Sequence, residues 1–152
     1  MKILSIILTL VLFSTSCFAK IIPVGKSATY TKIQDAINAA QNGDIIEVEA
    51  GVYKEKNIVI NKSITLKGIN YPVLDGEHLY EIISVKSNHV IIQGFKLVHT
   101  GVSSIQDIAA IKIYSCNNVS VIDNILMDTF FGVYLQNSSQ CSIKDNKLIA
   151  DA

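Results

Sequence analysis

AIKIYSCNNVSVIDNILMDTF, at residues 110–130, is matched in pattern by GVYLQNSSQCSIKDNKLIADA, at residues 132–152. When the numbering is shifted by 22, Ile111 falls on Val133 and Ile113 falls on Leu135. The later apolar positions of the two segments agree in the same way. Such an agreement predicts two copies of one structural unit whose buried positions are equivalent.

The same pattern continues toward the N-terminus. NHVIIQGFKL, from Asn88, aligns with NNVSVIDNIL, from Asn117, and the longer shift in numbering comes from an insertion around HTGVSSIQD. NKSITLKG, from Asn61, aligns again at a shift of about 26 to 27. The stretch NGDIIEVEAGVYKEKNIVINKSITLKG, at residues 42–68, holds three β-branched runs with turn-forming residues and no helix between them.

Repeats of this length that hold several short strands and no helices are typical of a solenoid. We therefore predict an all-β fold, a right-handed parallel β-helix in which each strand pairs with its equivalent one coil further on. The hand follows from the general rule that parallel crossovers are right-handed. An antiparallel sandwich also uses short strands, and a leucine-rich repeat would show a fixed Leu and Asn frame that this chain lacks.

One helix is predicted before the strands. In TKIQDAINAAQNG, at residues 31–43, four apolar residues share one face, which predicts an amphipathic helix over residues 32–41. Thr31 with Gln34 resembles a capping box, and Gly43 is a candidate C-terminal stop. We expect residues 20–43 to form an N-terminal cap and residues 44–152 to form the coils. Because the repeat is interrupted at Ala152, we expect the solenoid to be truncated at its C-terminus.

The N-terminus has the pattern of an export signal. MKILSIILTLVLFSTSCFAK begins with one Lys, continues with an apolar run from Ile3 to Phe13, and ends in small residues before Lys20. Residues 1–19 are therefore predicted to be a cleaved signal peptide, which places the mature chain in the periplasm. A lipoprotein anchor at Cys17 is the alternative. Of the remaining cysteines, Cys116 and Cys141, we expect two free thiols, because the alignment places them out of step around the coil.

Composition narrows the class of partner. The chain has 152 residues, 49% hydrophobic content and no formal net charge, and all thirteen basic residues are Lys. One domain with a substantial core is expected, and neither nucleic acid nor an anionic membrane is an expected partner. The absence of Arg removes the side chain best suited to bidentate contact with phosphates and carboxylates.

Two Asp-Asn pairs occupy equivalent repeat positions. Asp123 and Asp145 are predicted to lie on successive coils, roughly 5 Å apart, and paired carboxylates are able to hold a cation or to hydrolyse glycosides. The simpler interpretation is that each Asp lies in a tight turn. The following residues, Asn124 and Asn146, then stack as a structural amide ladder.

The candidates for a metal site are scattered. Cys116, Met127, Cys141 and His99 are the side chains from which a copper site would be built. The intervals between His78, His89 and His99 match neither the coil length nor a compact metal motif. Tyrosines with exposed rings are candidates for stacking on sugars or on a partner protein; these are Tyr53, Tyr71, Tyr80 and Tyr114.

The ordered set of segments resembles the N-terminal half of the nitrous oxide reductase maturation protein family, NosD. The segments are TKIQDAINAAQNGDIIEVEAGVYKEKNIVINKSITLKG, PVLDGE, VIIQGFKL, IKIYSCNNVSVIDNILMDTFFGVYL and IKDNKL. The first of these also resembles the opening of pectin-lyase-like enzymes. The resemblance implies a periplasmic β-helix with no catalytic residues, and with copper as a possible cofactor. Its implied partners are the permease and ATPase subunits of an ABC transporter and nitrous oxide reductase or a copper chaperone.

Three functions are therefore compared. The first is a non-catalytic accessory protein, peripheral to the membrane, for maturation of the copper centre of nitrous oxide reductase. The second is a carbohydrate-active β-helix, a lyase or hydrolase on acidic polysaccharide, and the third is a surface adhesin.

Overall fold

The computed structural model describes residues 19–150, so the predicted export signal lies outside these residues apart from Ala19. The elements in chain order are β1 (Ile21–Val24), α1 (Ile33–Ala39), β2 (Ile45–Val48), β3 (Val52–Tyr53), β4 (Ile58–Ile60), β5 (Thr65–Gly68), β6 (Val73–Asp75), β7 (Ile83–Val85), β8 (Ile91–Gln93), β9 (Lys96–Val98), β10 (Ala109–Tyr114), β11 (Ser120–Ile122), β12 (Ile125–Met127), β13 (Phe131–Gln136), β14 (Ser142–Lys144) and β15 (Lys147–Ile149). Within residues 19–150 no helix is both long enough and apolar enough to span a membrane.

The strands form three sheets that wrap around one core. Their orders are β1-β2-β5-β8-β11-β14, β13-β10-β7-β4 and β15-β12-β9-β6-β3, and each pairing joins strands of successive coils in parallel. Six strands stack in the longest sheet, so the chain makes about six turns. The prediction of a parallel β-helix is confirmed.

Aliphatic side chains stack in columns inside the solenoid. One column contains one residue from each coil: Ile22, Ile46, Leu66, Ile92, Val121 and Ile143. The first five side chains are at most 4% exposed. Parallel strands lie about 4.8 Å apart, so each side chain contacts the equivalent one on the next coil.

The register confirms the alignments made from the sequence. Val121 pairs with Ile143 and Ile92 pairs with Val121, as the two later alignments predicted. Leu66 pairs with Ile92, which agrees with the alignment of the segment from Asn61. The intervals between these partners differ, so the coils vary in length along the chain.

The corners between strands use left-handed backbone. Equivalent residues on successive coils share this conformation: Gly94, Asp123 and Asp145 have φ of 78°, 53° and 57°. His99 and Asp128 form a second such corner, with φ of 56° and 51°. Asp and Asn tolerate this conformation better than most residues, which explains their frequency between the strands.

The strands begin earlier than the sequence pattern indicated. We predicted strands only from Asp44 onward, but β1 lies within the predicted cap and pairs with β2 from Ile21↔Ile45 to Val24↔Val48. Its four residues include Pro23, which lacks an amide hydrogen. Pro is tolerated because β1 is an edge strand, so the first turn of the solenoid starts before the helix.

The helix is shorter than predicted, and its N-terminus is capped by a distant residue. Lys32 is the N-cap and makes no side-chain capping bond, so the predicted capping box of Thr31 and Gln34 is wrong. Instead, Glu55 accepts hydrogen bonds from the backbone N–H groups of Ile33, at 2.6 Å, and Gln34, at 3.0 Å. A carboxylate here satisfies two free N–H groups and complements the positive end of the helix dipole.

Two further contacts hold the helix on the end of the solenoid. The side-chain amide of Gln34 pairs with edge strand β4, accepting from the N–H of Val59 at 2.8 Å and donating to its carbonyl at 3.2 Å. Lys62 Nζ donates to the carbonyls of Ile37, Asn38 and Ala40, at 3.0, 2.7 and 2.6 Å. The helix ends at Ala39 with Ala40 as C-cap, so Gly43 is a turn residue, with φ of 93°, and not the stop.

Candidate binding cleft

A polar cleft lies on the outer face of the sheet that contains β7, β10 and β13. Ile83, Ile111 and Val133 pair in register and point inward, so the next residues along these strands point outward. Those outward residues are Ser84, Lys112 and Tyr134, which also pair in register. The stacking that builds the core therefore also places a row of polar and aromatic side chains on the outer side of the sheet, where loops bury Ser84 and Lys112.

Two loops form walls on either side of this row, and together they enclose a cleft of about 700 Å³. The first loop connects β6 to β7, and the second is the insertion between β9 and β10. They pack closely because two glycines lack side chains: a Cβ at Gly76 would lie 2.6 Å from the carbonyl oxygen of His99. A Cβ at Gly101 would lie 2.7 Å from the backbone of Leu79. The insertion that interrupted the repeat therefore forms a wall of the cleft.

Glu81 is the centre of a hydrogen-bond network in the cleft. The hydroxyl of Tyr114 lies 3.1 Å from Oε1 and 3.0 Å from Oε2 of Glu81. The hydroxyl of Ser84 contacts Oε1 of Glu81 and lies 2.8 Å from the side-chain oxygen of Asn57. Burial and the neighbouring carboxylate of Glu81 raise the pKa of Tyr114 to about 12. Tyr114 therefore stays a hydrogen-bond donor throughout the physiological pH range.

Lys112 holds the aromatic rings of the cleft. Its side chain is buried, its Nζ donates to the carbonyl of Asp107 at 3.0 Å, and this nitrogen lies 4.9 Å from the ring centre of Tyr114 and 5.1 Å from that of Tyr134. A desolvated cation between two rings makes favourable cation–π contacts. A hydrogen bond with Asp107 raises the pKa of Tyr134. The two rings are thus fixed before any ligand arrives.

The arrangement suits a ligand with many hydroxyl groups. Tyrosine rings offer apolar faces, while Glu81, Asp107, Gln136 and Asn57 offer hydrogen-bonding groups around the same space. Clefts of this size that combine aromatic faces with a few fixed polar groups are typical ligand sites.

The sequence identified part of this cleft. Of the four predicted tyrosines, Tyr80 and Tyr114 line it, whereas Tyr53 and Tyr71 do not. Glu81, Lys112 and Tyr134 were missed. A signal for the last two was present, because the alignment that matches Ile111 with Val133 also pairs Lys112 with Tyr134 at an outward position of the repeat.

The Asp-Asn pairs have structural roles. Asp123 and Asp145 lie at left-handed corners, and the hydroxyl of Tyr71 donates to Asp123 at 2.8 Å. Neither carboxylate lines the cleft. Asn124, which is 1% exposed, accepts from the N–H of Phe95 and donates to Oδ1 of Asn146, both at 3.0 Å. Asn124 and Asn146 are thus hydrogen-bonded to each other on successive coils.

The proposed copper ligands do not form one set. Cys116 is buried and its thiol donates to the carbonyl of Tyr114 at 3.0 Å, and burial together with the neighbouring Cys141 raises its pKa. Both cysteines are free, as predicted. Met127 lies in β12, and in the described part of the chain His99 is grouped with neither cysteine. His99, Cys116 and Cys141 therefore do not form one group of ligands in the described residues, and copper as a cofactor stays a prediction.

The sequence intervals between the histidines gave no indication that two of them lie close together in space. His78 and His99 lie at the same corner of two successive coils, and their ring centres are 4.6 Å apart. One turn of the chain separates them at this corner, where Asp75 of β6 pairs with Val98 of β9. His89 lies at a different corner, before β8.

Comparison with known proteins gives one partial similarity. No family model matches the chain, and no solved structure matches it. Over 83 residues, or 53% of this chain, it is 37% identical to a cell surface glycoprotein of Methanothermus fervidus. The chain spans about 14% of the length of that protein. The protein is thus a parallel β-helix with a partial similarity to a surface protein.

Proposed function

We propose that this protein is a non-catalytic, exported β-helix that binds a saccharide in the cleft around Tyr114 and Tyr134. The observation that carries the proposal is the pair of tyrosine rings fixed by buried Lys112 beside the carboxylate of Glu81. The predicted export signal and the partial similarity to a cell surface glycoprotein support a location outside the cytoplasm.

The chemistry of the cleft favours a neutral sugar over a charged one. Lys112 is 8% exposed, and its ammonium group already contacts a carbonyl and two rings, so it is not free to bind an anionic substituent. The other polar groups that line the cleft accept or donate hydrogen bonds, as sugar hydroxyls require, while Lys56 and Lys86 lie over the rings of Tyr80 and Tyr114 but outside the lining. Ring faces pack against the apolar C–H surface of a sugar.

Isothermal titration calorimetry with a panel of soluble oligosaccharides tests this proposal. We expect Tyr134→Ala to weaken binding about 5-fold or more, since truncating a central aromatic contact typically costs over ~1 kcal/mol. Tyr71→Ala is the matched control, because it removes an exposed tyrosine outside the cleft and should leave affinity unchanged. Equal affinity of both variants, or binding of no oligosaccharide, contradicts the proposal.

A carbohydrate-active enzyme is the second candidate, because Glu81 and Asp107 place two carboxyl groups in one cleft. We favour binding without catalysis because the carboxylate of Glu81 already accepts from the hydroxyls of Tyr114 and Ser84. Release of reducing ends or unsaturated uronate from a polysaccharide, lost in Glu81→Gln, would establish the enzyme instead.

The role implied by the resemblance to NosD is a more specific proposal. In that role the ligand is a protein of the machinery that matures the copper centre of nitrous oxide reductase, together with an ABC transporter. Its support is the shared order of sequence segments. Co-purification with the permease or ATPase subunit, reduced by Tyr134→Ala, would favour this role over saccharide binding.

A further inference from the structure

We infer that His78, His99 and Asp128 form a binding site for a divalent transition-metal ion of the Zn²⁺ class. One nitrogen of each imidazole and one carboxylate oxygen of Asp128 all lie within 4.8 Å of one another. This site lies at the corner of the solenoid that follows β6, β9 and β12, and none of its three ligands lines the saccharide cleft.

The solenoid itself brings the three ligands together. Val98 pairs with Met127, so the next residues, His99 and Asp128, are stacked at the same corner of successive coils. On the preceding coil, the N–H of His78 donates to the carbonyl of His99 at 2.8 Å. All three ligands have left-handed backbone, with φ between 51° and 57°. The ligands thus come from three consecutive coils and are held in position by backbone pairing.

One ligand is already oriented by a second carboxylate. Nδ1 of His99 lies 3.0 Å from Oδ1 of Asp75, whose side chain is only 15% exposed. When Nδ1 carries the proton and donates to Asp75, the lone pair of Nε2 is free to bind a metal. Carboxylate, histidine and metal in this order are a recurring arrangement of metal sites. Lys54, at 3.9 Å from Asp75 and 3.3 Å from Glu77, balances the negative charge behind the site.

The donor types select the metal. Two imidazoles and one carboxylate suit Zn²⁺ and neighbouring transition metals, whereas Ca²⁺ and Mg²⁺ prefer sites made of oxygen alone. Nδ1 of His78 and Oδ2 of Asp128 are 3.8 Å apart, and ligands of a tetrahedral Zn²⁺ at 2.0–2.1 Å lie roughly 3.3 Å apart. Small side-chain rotations close this difference. The side chains of His78 and Asp128 are 64% and 44% exposed, so water completes the coordination.

Calorimetric titration of the whole chain with Zn²⁺, without a polyhistidine tag, tests the site. The three ligands are replaced by Asn, which tolerates left-handed backbone but removes the imidazole or the charge. We expect one Zn²⁺ per chain in the wild type, and no saturable binding in His99→Asn or His78→Asn. Asp75→Asn should bind about 10–100-fold more weakly, as expected for loss of an orienting carboxylate.

His89→Asn is the matched control, because His89 has the same backbone conformation, with φ of 57°, at another corner. It should bind Zn²⁺ like the wild type, and circular dichroism should show the same β-structure in every variant. Excess Ca²⁺ should not displace Zn²⁺. Unchanged binding in His99→Asn, loss of binding in His89→Asn, or no binding by the wild type overturns the inference.

Discussion

Replacing Asn124 by Ala should destabilise the solenoid more than replacing an exposed Asn by Ala does. The Asn124 side chain is inside the coil, and each of its polar atoms has a partner. Its Oδ1 accepts from the N–H of Phe95, and its Nδ2 lies within 3.2 Å of the carbonyls of Ile92 and Ile122 and of Oδ1 of Asn146. With Ala at position 124, the N–H of Phe95, the two carbonyls and the Asn146 side chain all lose the hydrogen bond that the Asn124 amide makes to them.

The magnitude follows from the number of bonds lost. The N–H of Phe95 becomes a buried donor without an acceptor, which costs about 1–3 kcal/mol. The two hydrogens of Nδ2 make at most two full hydrogen bonds, each contributing about 0.5–1.5 kcal/mol. We therefore expect Asn124→Ala to lower the free energy of unfolding by about 2–6 kcal/mol.

Urea denaturation followed by circular dichroism measures this change. The matched control is Asn117→Ala in the same coil, whose exposed side chain accepts only from the hydroxyl of Ser139 among the described contacts. This control should cost under ~1 kcal/mol. If Asn124→Ala costs no more than Asn117→Ala, the amide ladder does not contribute to stability as argued.

Three further predictions concern the helix, the start of the coils and the thiols. Glu55→Ala should cost about 1–2 kcal/mol of unfolding free energy, because two N–H groups of the helix lose their acceptor; a change below ~0.3 kcal/mol in urea denaturation contradicts this. The hydrogen bond from the N–H of Gln41, opposed in part by burial, keeps the pKa of Asp44 in the folded protein below its usual 3.8. The ionised Asp44 side chain therefore stabilises the fold fully above about pH 4, and this stabilisation is lost as the pH falls through the pKa of the folded state. The stability difference between the wild type and Asp44→Asn should therefore shrink at acid pH, and a difference that grows there refutes the assignment. Cys141 should react with a thiol reagent in the native state and Cys116 only on unfolding, because Cys116 is 3% exposed; equal rates by mass spectrometry would contradict its burial.

The core of the fold was predictable because parallel stacking requires similar residues at equivalent positions of successive coils, which is visible as a repeat in the sequence. The alignment that matched Ile111 with Val133 is the backbone register itself. The ladder of Asn124 and Asn146 followed from the same alignment. Each of these predictions depends on residues that occupy the same position in different coils, and such equivalence is visible without coordinates.

The features that were missed depend on contacts that the repeat does not encode. Glu55 caps a helix that lies one coil earlier in the chain, in competition with the local capping box of Thr31 and Gln34. The proximity of His78 to His99 was hidden because the two residues are not at equivalent repeat positions: His99 directly follows Val98, whereas His78 is three residues beyond Asp75, the register partner of Val98. The cleft depends on an insertion, whose position against the sheet is a matter of tertiary packing.

Disulfide trapping between successive coils tests the central claim, the parallel register of the solenoid, most directly. Thr65 of β5 pairs with Ile91 of β8, so cysteines at these positions lie at the spacing of adjacent strands, within the range that a disulfide spans. Gln93 is two residues further along β8, about 8 Å from Thr65, which is too far. With the three native cysteines replaced by Ala, mild oxidation should form an intrachain disulfide in T65C/I91C and not in T65C/Q93C. Equal trapping of both pairs, or trapping of the second pair alone, contradicts the register.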